Sequence, residues 1–251
     1  MKWQKKFVFL SLMICFACAG SFTEREPADG LRVLFIGNSL TYTNDLPAII
    51  EAMAAATNQK RLVHKAVVFP NYSLEDHWNQ GDARKELADK KWDVVVMQQG
   101  PSASMEGRAL LIEYSRRFAE LIRSAGARPA LYMVWPSTSR EGDFDGVSYS
   151  YRRAAQEVKA MIFPAGEAWR AAWRRDKKLA LYSPDGLHPT VAGSYLAALV
   201  IYEQLYGQLP DKLPARLKLR ASKLSSIELP EDQIETFRAA AEEANKKFGQ
   251  H

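Results

Sequence analysis

Five short β-rich runs lie along the chain, most of them closed at glycine, proline or asparagine, and helical stretches alternate with them. The runs cover residues 31–36, 62–69, 93–97, 129–134 and 161–163. The third is the most constraining. Val94-Val95-Val96-Met97 is apolar without alternation, as a strand covered on both faces must be. Between the runs, Asp45 precedes Leu46-Pro47 as a cap and early proline for a helix ending near Thr57. Further helical stretches are 107–125 before Gly126, 148–159, 166–176 and 191–206 before Gly207. A polar helix, 231–248, follows a proline-marked tail. Strand–helix alternation of this kind implies an α/β domain with a parallel sheet between two helical layers. A chain of 251 residues, 47% of them hydrophobic, can bury the core that such a domain needs. Chemistry in these sheets gathers at the carboxyl ends of the strands.

The first nineteen residues stand outside this pattern. Lys2, Lys5 and Lys6 precede an apolar run, 7–17, and Ala17-Cys18-Ala19 stands before Gly20. This is the layout of a secretory signal peptide, and cleavage before Gly20 to a secreted or periplasmic product is the expectation. The run is about half the length of a membrane span, and no later stretch is long enough. A rival reading anchors the chain as a lipoprotein through Cys18. Against it, Phe16 is bulky where that signal takes a small residue, and Cys15 stands where it takes leucine. Both cysteines lie in this segment, so a chain starting at Gly20 has no disulfide, thiol nucleophile or thiolate metal site. The formal charge of +5 shrinks as well: without those three lysines, the 34 basic residues become 31 against 29 acidic ones. A nucleic-acid partner is not implied.

Three groups of chemistry-bearing residues sit at the ends of expected strands. Gly37-Asn38-Ser39-Leu40-Thr41 follows the first. A serine there presents its hydroxyl beside backbone N–H groups, which suit the oxyanion formed when serine attacks a carbonyl. The plain alternative is a turn in which Asn38 and Ser39 bond the backbone. A phosphate loop needs more glycine and a lysine, and is discounted. The second group is Ser183-Pro184-Asp185-Gly186-Leu187-His188-Pro189-Thr190. Its aspartate can orient the imidazole three residues on, while the other ring nitrogen faces a nucleophile. The alternative is a capping aspartate and a surface histidine. The chain has 4 histidines. His64 lies in an expected strand and His251 is the last residue, so His77 is the competing base. Beside Trp78, it reads first as a packing residue. The third group joins Asn71, after Pro70, with Gln98-Gln99-Gly100-Pro101-Ser102. Amides at a buried strand end need partners. A glutamine N–H converging on Ser39 would complete an oxyanion site; bonding to loop backbone is the alternative.

Together, Gly37-Asn38-Ser39-Leu40 and Asp185-x-x-His188 resemble the first and last blocks of the SGNH (GDSL-like) hydrolase family. The resemblance spans 31–207 and includes the order of strands and helices. It implies a flavodoxin-like, three-layer α/β/α sandwich around a mostly five-stranded parallel sheet. Residues 20–30 would form a leader, and 208–251 a C-terminal extension whose helix packs on the domain. The middle blocks depart from the family pattern. Asn71 stands where a glycine N–H is usual, and asparagine tolerates the left-handed backbone a glycine would adopt. The usual Gly-x-Asn-Asp gives way to Gln98-Gln99-Gly100-Pro101-Ser102, as in a branch that uses glutamine there. Neighbouring strand residues face opposite sides, so either Gln98 or Gln99 is the inward one.

The activity this resemblance implies is ester hydrolysis through an acyl-enzyme on Ser39. His188 is the base and Asp185 its orienting partner, with the N–H groups of Ser39 and Asn71 and one glutamine at the oxyanion. The substrate would be a small-molecule or carbohydrate ester; export and the aromatics Tyr42, Tyr72, Trp78 and Trp135 suit a carbohydrate O-acetyl group. No metal or organic cofactor is required, and none has a ligand set. An acyltransferase with a sugar acceptor and a non-catalytic binding protein are the readings from other classes. Oligomeric state is left open.

Overall fold

The computed structural model describes residues 30–220 and 222–249. The expected signal segment 1–19, its cleavage position and residues 20–29 of the leader lie outside them. In chain order the elements are β1 (Leu31–Gly37), α1 (Ser39–Tyr42), a 3-10 turn (Thr43–Asp45), α2 (Leu46–Ala56), β2 (Leu62–Val68), α3 (Leu74–Gln80) and α4 (Asp82–Asp89). There follow β3 (Val94–Met97), α5 (Met105–Ser124), β4 (Arg128–Tyr132), a second 3-10 turn (Thr138–Asp143), α6 (Phe144–Val158), β5 (Met161–Phe163) and α7 (Ala165–Arg175). The last are α8 (Val191–Tyr206), β6 (Arg216–Lys218), β7 (Ser226–Glu228) and α9 (Glu231–Phe248).

The expected architecture is present. Five strands in the order β2-β1-β3-β4-β5 form one sheet in which every neighbouring pair is parallel. All four residues of β3 are buried, which explains the absence of alternation in its sequence. Helices α3, α5 and α6 pack together on one side, and α2 packs with α8 on the other. α9 lies against α7 and α8 through Ile234, Phe237, Ala240, Ala241 and Ala244, a helical stripe whose alanines allow close approach. The chain leaves β1 toward β2 on one side and β3 on the other. A crevice therefore opens beyond the carboxyl ends of β1 and β3.

Three elements differ from the sequence-based expectation. Helix α6 starts at Phe144, not near 148: Phe144, Val147 and Tyr151 are buried, and Gly146, which sits against Ala103, disguised the pattern. Residues after Asn71 form α3 and α4, joined at Gly81 with φ +95°. α3 starts through a capping box in which Ser73 and Asp76 bond each other's backbone N–H. The tail forms the antiparallel pair β6–β7, whose strands each bury one residue, Leu217 and Ile227. Three residues are too few for a period to show.

Candidate active site

Ser39 is the first residue of α1, directly after β1. Asn38 caps that helix: its Oδ1 accepts from the Leu40 N–H at 3.1 Å. The Ser39 N–H, an unpaired helix-start donor, has no acceptor among the described residues. Its hydroxyl makes no hydrogen bond there either. Gly37 is needed for the geometry, because a Cβ there would lie 2.5 Å from Gln98 Oε1 and 2.6 Å from Thr41 Oγ1.

Gln98 is what fills that space. Its Oε1 accepts from the Asn38 N–H at 2.9 Å and from the Thr41 hydroxyl at 2.8 Å. Its Nε2 donates to Asn38 Oδ1 at 2.9 Å and to the Gln99 carbonyl at 2.6 Å. Backbone partners that only donate or only accept fix this amide's orientation. Both amide hydrogens are used and the residue is 0% exposed. Gln98, one of the two expected oxyanion donors, therefore has no hydrogen to offer a substrate; it clamps the serine turn instead. Gln99 lines the cleft. Its Oε1 accepts from the Leu74 N–H at 3.1 Å, and its Nε2 donates to Ser102 Oγ at 2.8 Å and, more loosely, to the Gly107 carbonyl at 3.4 Å.

Asn71 adopts the left-handed backbone, φ 60°, that the expectation from glycine required. Its N–H also has no acceptor among the described residues. Asn38 Nδ2 donates to the neighbouring Tyr72 carbonyl at 2.9 Å, so the first and second blocks are tied directly. His77 is fully buried, with Nε2–H donating to the Gly37 carbonyl at 2.8 Å. Burial lowers its pKa. It is a neutral packing histidine behind the serine turn.

Asp185 and His188 form a tight pair. The ring Nδ1 lies 2.6 Å from Asp185 Oδ2, and Oδ1 accepts from the N–H groups of Leu187 and His188, both at 2.9 Å. The two backbone donors and the ring push the Asp185 pKa down to about 2. The carboxylate is ionised and can only accept, so Nδ1 carries a hydrogen and donates it to Asp185. The turn is anchored at four successive carbonyls. Gly186 accepts from the Thr138 N–H at 2.8 Å, Leu187 from Trp135 Nε1 at 3.0 Å, His188 from the Ser183 N–H at 2.8 Å, and Pro189 from Asn44 Nδ2 at 3.0 Å. Asn44, five residues past Ser39, also donates to Ser194 Oγ at 3.0 Å. It thereby fastens the serine segment to the histidine segment. No hydrogen bond joins Ser39 Oγ to the His188 ring among the described residues; such contacts are often long before substrate binds.

Ser39, Asn71, Gln99 and Leu187 line one cleft of about 540 Å³. Gln98, beneath the serine turn, and His188, next in sequence to Leu187, are not among the residues that line it. Of the aromatics expected near substrate, Tyr72 lines the cleft and Tyr42 is exposed. Trp135 and Trp78 are packing residues: Trp135 is stacked on Trp169 at 3.5 Å, and Trp78 meets Phe118 edge-on. A larger groove of about 720 Å³ runs along α7 past Phe144, Trp173 and Tyr182. It holds none of the nucleophile, base or donor residues. Among the described residues no three His, Cys, Asp or Glu side chains gather as a metal site, and no helix is long and apolar enough to cross a membrane.

No protein-family model and no curated protein matches this sequence. Solved structures do. A protein assigned as an SGNH hydrolase from Slackia heliotrinireducens is 26% identical over 70% of this chain and 98% of its own, with a TM-score of 0.59. A DUF4886 family protein from Bacteroides uniformis is 19% identical over 86% of this chain and 95% of its own, with a TM-score of 0.66. An acetyl xylan esterase from Geobacillus stearothermophilus is 15% identical over 73% of this chain and 98% of its own, with a TM-score of 0.57. The chain has the fold of the SGNH (GDSL-like) hydrolases, the family its sequence blocks resemble, and these neighbours support a hydrolase.

Proposed function

We propose that the protein is a serine esterase acting on short-chain, carbohydrate-type O-acyl esters. His188 Nε2 takes the hydroxyl proton of Ser39, whose Oγ attacks the ester carbonyl; Asp185 holds the ring and stabilises its charged form. The oxyanion is held by the N–H groups of Ser39 and Asn71, with Gln99 the one glutamine on the cleft wall. The alcohol leaves with the proton from His188, and water, activated by the same ring, releases the acyl group. One observation carries the reading: a serine whose hydroxyl and N–H have no partner among the described residues sits on a segment tied, through Asn44, to a turn in which Asp185 holds the Nδ1 side of the His188 ring.

The small, polar residues around the cleft and the esterase neighbour support short acyl groups and a carbohydrate alcohol. Export by removal of residues 1–19 is part of the proposal; a mature mass beginning at Gly20 would agree with it, and a lipid-bearing Cys18 would replace it with anchoring. The activity is tested with an aryl acetate. Ser39→Ala and His188→Ala should each lower kcat by about 10³-fold or more, and the double variant should be little worse, since nucleophile and base act as one unit. Retained activity in Ser39→Ala would overturn the assignment.

A further inference from the structure

The cleft around Ser39 carries two formally charged residues, Arg140 and Asp143, among its described lining, and they face each other. Arg140 Nε lies 2.7 Å from Asp143 Oδ2. The rest of the lining is neutral, with the hydroxyls of Ser73, Ser102, Ser104 and Ser137 prominent among its polar groups. Each of these hydroxyls has a protein partner, but a long acyl chain lying on them would strip their water and offer no bond in return, and a charged alcohol would meet a pair that already cancels itself.

The segment that carries the pair is held in place. The pair sits on the 3-10 turn Thr138–Asp143, whose helical path breaks at Arg140 with φ −133° and ψ 32°. The Thr138 N–H donates to the Gly186 carbonyl, inside the Asp185–His188 turn. A Cβ at Gly186 would lie 2.3 Å from Thr138 Oγ1, so the two segments are in close contact. Tyr182 OH donates to the Pro136 carbonyl at 2.5 Å, just ahead of the turn. Asp143 precedes α6 but makes no capping hydrogen bond to it. Its Oδ1 and both terminal nitrogens of Arg140 have no partner among the described residues. The wall thus offers a donor fork beside a free carboxylate oxygen, on a segment bonded to the Asp185–His188 turn.

We propose that Arg140 and Asp143 form the alcohol-side subsite and hold a vicinal diol of a neutral sugar ester. The guanidinium donates to one hydroxyl while the carboxylate oxygen accepts from its neighbour. This inference rests on the esterase reading and adds to it the residues that recognise the alcohol and the vicinal diol they require.

The test uses three esters: a monoacetylated methyl pyranoside with a free vicinal diol, its deoxy analogue lacking one of those hydroxyls, and 4-nitrophenyl acetate. The wild type should favour the diol ester over the deoxy ester. Arg140→Gln and Asp143→Asn should each cut kcat/KM for the diol ester by roughly 10- to 100-fold, as the loss of a charge-assisted hydrogen bond does. In both variants the preference for diol over deoxy ester should collapse, and 4-nitrophenyl acetate should be affected far less. An exposed ion pair contributes little to folding, so thermal unfolding should stay close to wild type. Hydrolysis of the aryl acetate with no wild-type preference for the diol would overturn the subsite and leave the esterase standing. A preference that survives both substitutions would overturn it too. Hydrolysis of none of the three esters would remove the esterase reading and the subsite with it.

Discussion

Replacing Gln98 by alanine would leave the Asn38 N–H and the Thr41 hydroxyl without their acceptor, both of them buried, and Asn38 Oδ1 with the Leu40 N–H alone. At roughly 1–3 kcal/mol for each buried group left unsatisfied, a loss of about 2 kcal/mol or more in urea unfolding is expected. Gln99→Ala removes a tie to Leu74 and a donor on the cleft wall, so its stability loss should be smaller. Its signature should lie in kcat, by about 10²–10³-fold, when the Nε2–H now held loosely by the Gly107 carbonyl turns to the oxyanion. A Gln98→Ala protein as stable as wild type would refute the clamp. The sequence shows two amides at a buried strand end, and alternation says that they face apart. It does not say which faces Ser39. That follows from the register of β3 on β1, where Ile36 pairs with Met97 and Gln98 falls under the turn, and register is set by the assembled sheet.

Among the elements, the strands were legible because burial on both faces leaves uninterrupted apolar runs, as in β3 and β1. The Asp185–His188 turn was legible because its spacing is local: the carboxylate bonds residues two and three ahead. The coupling between the first 3-10 turn and the end of the histidine turn was not, since Asn44 and Pro189 are far apart in sequence and nothing near Asn44 announces a partner. The left-handed backbone of Asn44 and Asp45, φ 57° and 56°, is the visible sign of constraint there. Asn44→Gly keeps that backbone available while deleting the amide. The serine and histidine segments should then lose their common tie, and kcat should fall roughly 10- to 100-fold with KM little changed, as expected for misplaced catalytic groups. Asn44→Ala should add strain and lose stability as well. Wild-type kcat in Asn44→Gly would show that the two segments are positioned independently.

For the whole molecule, the buried ring of His77 couples the fold to pH. It joins α3 to the end of β1 through Gly37 and is enclosed by the rings of Phe69 and Tyr72. Burial lowers its pKa from 6.5; the Gly37 carbonyl, Asp76 and Asp82 act in the opposite sense without outweighing it. Below 6.5 the unfolded chain therefore binds a proton that the folded chain resists. The stabilisation from the neutral ring is complete above that value and declines as pH falls toward the folded pKa. A second, more acidic stage belongs to carboxylates. Asp93 beside the Arg32 guanidinium, Asp76 bonded by Ser73, and Asp185 at about 2 all lie below the ordinary 3.8. Their contribution is present above 3.8 and is lost as pH drops through their folded values, each being small because these groups are solvent-accessible. Glutamine at position 77 can donate to the Gly37 carbonyl but cannot titrate. Between about pH 7 and pH 5 the urea midpoint of the wild type should fall, and that of His77→Gln should stay level. Both should fall below about pH 4, where the carboxylates protonate. Parallel curves from pH 7 downward would mean that His77 does not set the upper stage, and that another group takes up a proton on unfolding.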